Sequence, residues 1–292
     1  MTDRRPFTAP GDLRAMQRLA QELWRRRPEL VDTTVAELAW TAASGSGDWS
    51  RRLWLDGGEV VAWGWLFPPA ELAWQAHPDR SELLDAVLDW FESEAGEGER
   101  RTTVRSADEA AVERLRRRGY EHDPEAPYFL KTARSLEQVQ QPAVPDGFRL
   151  KTMADGVDVA ARVAVHRAAW EPSQLTQERY ARVRETWPYR AELDVVLEAP
   201  GGTLAASVLA WYDDENRVGE FEPVGTHPDY RRRGLGRATN LFALHLLREA
   251  GAERAIVTCR GDAGYPLPKL LYESVGFREL SRQLPLVQRA KG

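Results

Sequence analysis

The sequence predicts a layered α/β (α+β) protein in which helices cover mostly antiparallel sheet, and it predicts that arrangement twice. Three observations carry this. Beyond residue 147, strand-like and helix-like segments follow in the order strand, two helices, three strands, helix, strand, helix, strand. His77-Pro78-Asp79 stands 150 residues before His227-Pro228-Asp229, each closing a strand-like run ahead of an amphipathic helix. Leu115-Arg116-Arg117-Arg118-Gly119-Tyr120 then matches Tyr272-Glu273-Ser274-Val275-Gly276-Phe277 in the same relative place, so the chain reads as an internal duplication. A length of 292 residues agrees, because single cores stop growing near about 250–300 residues.

Taken in order, residues 52–55 and 60–66 read as a hairpin joined through Asp56-Gly57-Gly58. Eight of the eleven tryptophans fall between Trp24 and Trp90. Trp63 and Trp65 alternate along a strand with Trp74 beyond them, which reads as a packed aromatic core. Residues 135–147 are polar, aperiodic and hold two prolines and a glycine, as a linker does. They divide the chain into halves 1–134 and 148–292.

In the second half, residues 148–152 read as a strand, 157–170 as a helix with one buried face, and 176–187 as a helix stopped by Pro188. Strands follow at 194–198, 203–212 and 218–226, with turns at Pro200-Gly201-Gly202 and Asp213-Asp214-Glu215-Asn216. The run 235–250 is an amphipathic helix ended by Gly251. Residues 254–259 form a strand, 267–275 a short helix ended by Gly276, and Phe277 opens a last strand.

Composition narrows the function. A net charge of −5 argues against a general nucleic-acid binder, and the arginine clusters at 25–27 and 116–118 lack interleaved aromatics. One cysteine, Cys259, excludes an internal disulfide and a cysteine-rich zinc site, and it reads as an inert core thiol. The five histidines lack metal spacing, so no metal is expected. No signal peptide is expected from the polar start and no run of about 20 apolar residues stands in the sequence, so a cytoplasmic protein, monomer or homodimer, with no membrane partner is expected.

The chemistry concentrates at Arg231-Arg232-Arg233-Gly234-Leu235-Gly236. Two glycines let backbone amides turn toward a ligand, the helix beginning there adds its positive end, and the arginines add charge. Together these suit a phosphate or pyrophosphate. Pro223 and Gly225 interrupt the preceding strand, which predicts a splayed or bulged end whose backbone a ligand can complete. The first half has no arginine-glycine segment after Asp79, hence no matching cradle.

These residues resemble the GNAT superfamily of acyl-CoA-dependent N-acetyltransferases. The family's pattern of Arg or Gln, two residues, Gly, one residue, Gly or Ala stands here at Arg231, Gly234 and Gly236; its second motif stands at Leu271-Tyr272 through Gly276-Phe277. The resemblance covers the second half and implies two GNAT-like domains, the first one degenerate. It implies that Arg231, Arg232, Arg233, Gly234, Leu235, Gly236, Arg237 and Ala238 hold the pyrophosphate of acetyl-CoA. Val224, Gly225 and Thr226 would pair with the pantetheine arm, and Tyr272 would protonate the departing thiolate. Many relatives carry an asparagine where Tyr265 stands.

For the base that takes a proton from an ammonium acceptor, Glu222 and Glu220 are candidates, and Glu222 is nearer the splay; both also read as exposed strand carboxylates. The implied activity is acetyl transfer to a primary amine, small molecule or peptide. Trp170-Glu171-Pro172, residues 187–189 and Glu192 are expected beside the acceptor. A non-catalytic acyl-CoA-binding regulator is the alternative.

Overall fold

The computed structural model describes residues 2–8, 10–45, 47 and 49–290, so the ends of the expected halves at Met1, Lys291 and Gly292 lie outside it. The first half runs β1 (Asp3–Pro6), α1 (Pro10–Arg26), α2 (Val35–Ser44), β2 (Arg51–Asp56), β3 (Glu59–Phe67), β4 (Glu71–Ala76), α3 (Leu83–Glu94), β5 (Arg100–Arg105), α4 (Glu109–Arg117), β6 (Glu121–His122) and β7 (Phe129–Ser135). The second runs β8 (Arg149–Thr152), α5 (Val159–Ala169), α6 (Gln177–Glu185), β9 (Asp194–Glu198), β10 (Leu204–Asp213), β11 (Val218–Thr226), α7 (Leu235–Glu249), β12 (Arg254–Arg260), α8 (Leu267–Ser274) and β13 (Arg278–Gln288). Apart from the extra short β6, the two orders are the same.

Local chemistry sets the ends. Asp158 caps α5 by accepting from the Ala161 amide, so that helix starts two residues later than the periodicity predicts. Thr176 caps α6 through the Arg179 amide. Helix α6 stops at Glu185 rather than Trp187, because the residue before Pro188 is pushed out of the helical region.

The described strands form one sheet in the order β1-β2-β3-β4-β5-β13-β7-β12-β11-β10-β9-β8, with β6 beside β13. Neighbours are antiparallel except β4 with β5 and β11 with β12. The halves exchange strands at the middle. Strand β7 lies between β12 and β13, pairing Arg254 with Ser135 through Arg260 with Phe129. Strand β13 pairs β7 up to Arg282 and then pairs β5 from Gln283 onward. Each half's sheet is thus completed by the other's last strand.

Trp63 (0% exposed) and Trp54 (3%) anchor cores of the first half, as the tryptophan pattern predicts. The second half packs Leu130, Phe221, Leu241, Leu244, Val257 and Phe277 beneath α7 and α8. On the opposite face, Ala36 and Ala39 of α2 pack with Val163, Leu209 and Trp211. A helix of the first half therefore roofs the second half's sheet. The segment 135–147 lies along the second half, with Leu136 buried in its core and the Gln140 carbonyl 3.1 Å from His245 Nε2.

Candidate active site

The splay predicted in β11 is present and has a definable origin. Val208 pairs with Val224 and Ala210 with Phe221, so Leu209 faces two residues, Glu222 and Pro223, where a strand allows one. Pairing with β12 ends at Phe221 and Val257, and the two strands part beyond it. The His227 amide donates to the Ala205 carbonyl. By antiparallel alternation, the amides and carbonyls of Val224 and Thr226 therefore turn away from β10, into the opening. Side chains already reach them: Trp170 Nε1 donates to the Val224 carbonyl (3.1 Å) and Arg231 Nε to the Thr226 carbonyl (3.2 Å).

The strand leads into a single turn of 3-10 helix, Pro228–Tyr230, capped by the His227 imidazole, which accepts from the Asp229 amide. Two residues of the following loop are left-handed, Arg232 (φ 63°) and Gly234 (φ 76°). A left-handed residue followed by a right-handed one, as Gly234 is by the first residue of α7, points successive amides to one side as an anion nest does. A non-glycine there costs about 1–2 kcal/mol, the kind of strain that gathers at functional sites. Helix α7 starts with no side-chain cap and no acidic residue in its first turn. The amides of Leu235, Gly236 and Arg237 thus have no intrahelical partner and no competing carboxylate.

Arg231, Arg232, Arg233 and Gly234 are exposed, while Leu235 is buried and anchors the loop. Arg231 is committed to the backbone and Arg233 lies over Tyr230. The Ala238 amide is taken by the Gly234 carbonyl (3.0 Å), so the free amides end at Arg237. A side-chain carbon on Gly236 would come 3.1 Å from Thr226 Oγ1, close enough that only a small residue fits between helix and strand.

Tyr272 is 6% exposed, its ring edge-on to Phe277, and burial together with Glu222 and Cys259 pushes its phenol far up, so it keeps its proton. Burial, then the nearby Glu37 charge, push the Glu222 carboxyl up to about 8. Glu220 is raised by burial and by Glu37 as well. Neither carboxylate is the exposed strand residue the sequence also allowed, and the two differ in access. Glu222 lines a cleft of about 600 Å³ between the halves, whereas Glu220 borders a separate void of about 30 Å³ with Trp24 and Trp211.

That cleft is acidic and aromatic: Asp32, Glu37, Glu71 and Glu222 share it with Trp63 and Trp65. Sequence reasoning missed Glu37. It closes a capping box with Thr34 at the start of α2, while its other oxygen accepts from Thr258 Oγ1 of β12 at 2.9 Å. The signal was legible as Thr34-x-x-Glu37, a helix-start pattern. Lys131, fully buried, lies 3.6 Å from the same carboxylate and donates to the Val31 carbonyl, and burial lowers its pKa.

Trp170 and Glu222 meet at the cleft, as expected, but other expected neighbours do not. Trp187 packs under Arg14 (3.5 Å), and Tyr189 donates to Asp194 (3.4 Å). Glu171 is exposed and Glu192 pairs with Arg190 (2.7 Å) on the surface. Among the described residues, no cluster of three or more His, Cys, Asp or Glu is placed to hold a metal, and no helix is long and apolar enough to cross a membrane.

The family model described as Acetyltransferase (GNAT) family matches residues 162–277. A mycothiol acetyltransferase of Thermobispora bispora is 30% identical over 297 residues, covering 92% of this chain and 93% of that protein. One of Saccharomonospora viridis is 30% identical over 175 residues, 55% of this chain and 56% of that protein, so in such matches the chain spans about half the relative's length. Among solved structures, a tandem GNAT protein from the clavulanic acid biosynthesis pathway superposes with a TM-score of 0.70 at 16% identity, over 100% of this chain and 99% of that one. At that identity the likeness is one of fold.

Proposed function

Because this chain belongs to the GNAT family of acetyltransferases, we propose that it transfers the acetyl group of acetyl-CoA to a primary amine by direct attack on the thioester. The observation that carries this is the run of free amides at the start of α7 and outward backbone at Thr226 and Val224, with half-buried Glu222 next along the strand and buried Tyr272 near enough to feel its charge. The uncapped, acid-free helix start and the left-handed Arg232 and Gly234 fit a pyrophosphate, and the outward edge of β11 fits the amides of a pantetheine arm. On this reading 148–292 is the coenzyme-binding half and 1–134 a half without a phosphate loop.

Acetyl-CoA supplies the activated acyl carbon, and the chain's residues handle protons. Glu222, poised near neutrality, takes one proton from the ammonium acceptor, directly or through a water. The freed amine forms the new C–N bond as the C–S bond breaks, and Tyr272 gives its proton to the leaving sulfur. The nitrogen's second proton then returns the phenol to its neutral form through solvent. Glu71 joins Glu222 at the cleft as a carboxylate for a cationic amine, while Asp32 and Glu37 there are partnered by Arg105 (2.9 Å) and Lys131 (3.6 Å). The relatives' name puts mycothiol-related compounds first among acceptors to test.

Release of free thiol from acetyl-CoA across an amine panel tests this. Glu222→Gln and Tyr272→Phe should each lower kcat by about 10²–10⁴-fold, with acetyl-CoA affinity within about threefold of wild type. Turnover on no amine would favour the regulator alternative, and full turnover in both variants would remove Glu222 and Tyr272 from the proton chemistry.

A further inference from the structure

We propose that Trp170 sets the length of the acyl group the site accepts, standing between the thioester end of the coenzyme arm and a chamber behind it. The inference rests on the reading that the acyl-CoA arm runs along Thr226, Gly225 and Val224.

Two voids meet at Glu222 and Trp170. One is the cleft of about 600 Å³ already described; the other is a chamber of about 290 Å³ walled by Trp40, His166, Leu175 and Pro223. Trp170 follows directly on α5 and is 51% exposed, yet two contacts fix its ring, one of them backed by a third ring. Its indole N–H is held by the Val224 carbonyl, its face is stacked 6.4 Å from His166 (interplanar angle 21°), and His166 lies 5.4 Å from Trp40 in turn. The indole also presses on the strand. A side-chain carbon on Gly225 would come 3.2 Å from Nε1 and 2.6 Å from the Ala169 Cβ, so glycine is what allows the ring to lie there.

Direction follows from that reading. Passing inward from the helix start, the arm meets Thr226, Gly225 and Val224, and the next residues are Pro223 and Glu222. An acyl group carried past the sulfur therefore arrives against the indole. A single methyl ends there, whereas a longer chain meets the ring and is kept out of the chamber. The chamber's wall sets Trp40, Leu175 and Pro223 beside Ser44, Ser173 and Gln174, and once the ring is gone a chain can lie along its apolar side. Its one titratable wall residue besides Glu222 and Arg179, His166, is 5% exposed and pushed down to about 4 by burial and by Arg162, so it stays neutral.

The test is calorimetric titration of acetyl-CoA, butyryl-CoA and hexanoyl-CoA into wild type, Trp170→Gly, Trp170→Ala and Trp170→Phe. Wild type should weaken as the chain lengthens. In Trp170→Gly and Trp170→Ala the order should reverse, with hexanoyl-CoA at least tenfold tighter than acetyl-CoA, since each buried methylene is worth about fourfold. Trp170→Phe should keep the wild-type order, because the ring and not the N–H is the barrier. A residue that merely shapes the corner would shift all three ligands together and leave their ratio unchanged. The proposal is overturned if the small variants bind acetyl-CoA with the wild-type order, if wild type takes hexanoyl-CoA as tightly as acetyl-CoA, or if both small variants melt normally but bind no acyl-CoA. Failure of wild type to bind acetyl-CoA would strike the underlying reading instead.

Discussion

Residues 77–83 and 227–235 begin alike and end in different chemistry. In each, a histidine caps a 3-10 turn by accepting from the aspartate amide two residues on, at 3.2 Å in the first half and 3.3 Å in the second. In the first half α3 then starts at Leu83, after Ser81 and Glu82 in ordinary helical conformation, with Asp85 in its first turn. Arg80 is spent on Asp56 and Glu82. In the second half, Arg231, Arg232, Arg233 and Gly234 intervene, two of them left-handed, and no acid follows. The turn is common to both halves, so the proposed anion site rests on those four residues and on the acid-free start of α7.

The openings beside the turns differ in the same sense. Beyond the pairing of Leu72 with Thr102, the first half's opening is held by its own α1–α2 connection: Gln75 donates to the Thr33 carbonyl, and Arg105 is bound to Asp32. The second half's α5–α6 connection reaches the strand through Trp170. Five residues before the turn histidine stands Glu222 in the second half and Leu72 in the first, so the first half also lacks the carboxylate.

Four changes probe how far the halves are independent. The largest effect is expected at Leu130, a β7 residue of the first half that is fully buried in the second half's core. Leu130→Ala should destabilise by about 2–5 kcal/mol and lower one shared melting transition; two transitions would show that the exchanged strands do not couple the halves. Glu222→Gln comes next. A carboxyl raised to about 8 in the folded state, from a usual value near 4.5, withdraws stability as pH rises between those values. The variant should gain in Tm over wild type from pH 5 to pH 9, and a constant difference would remove the buried-base reading. The smallest effects belong to His77→Ala and His227→Ala, each about 1 kcal/mol or less for a partly exposed cap. Similar values would confirm matched turns, and only His227→Ala should disturb acetyl-CoA affinity.

The left-handed Gly234 and the helix start behind it were legible in the sequence because their requirements are local: glycine spacing and an amphipathic run. The tryptophan core and the repeated turns were legible for the same reason. Glu37 meeting Thr258 across 221 residues was not, since a capping box announces a helix end and says nothing about what lies on its far side. The exchange of β7 and β13 was hidden too, because alternation reports that a strand is buried and not which strand it pairs with. Arg232 in the left-handed region is set by the loop's closure between β11 and α7, which no residue type advertises.

The central claim is that one half alone binds the coenzyme, through the loop before α7. Calorimetric titration of acetyl-CoA into wild type, Gly234→Glu and Ser81→Glu tests it most directly, adding a carboxylate between the turn and the following helix in each half. The account predicts one site per chain in wild type and in Ser81→Glu, and none in Gly234→Glu. Two sites per chain, or binding lost in Ser81→Glu and kept in Gly234→Glu, would contradict it.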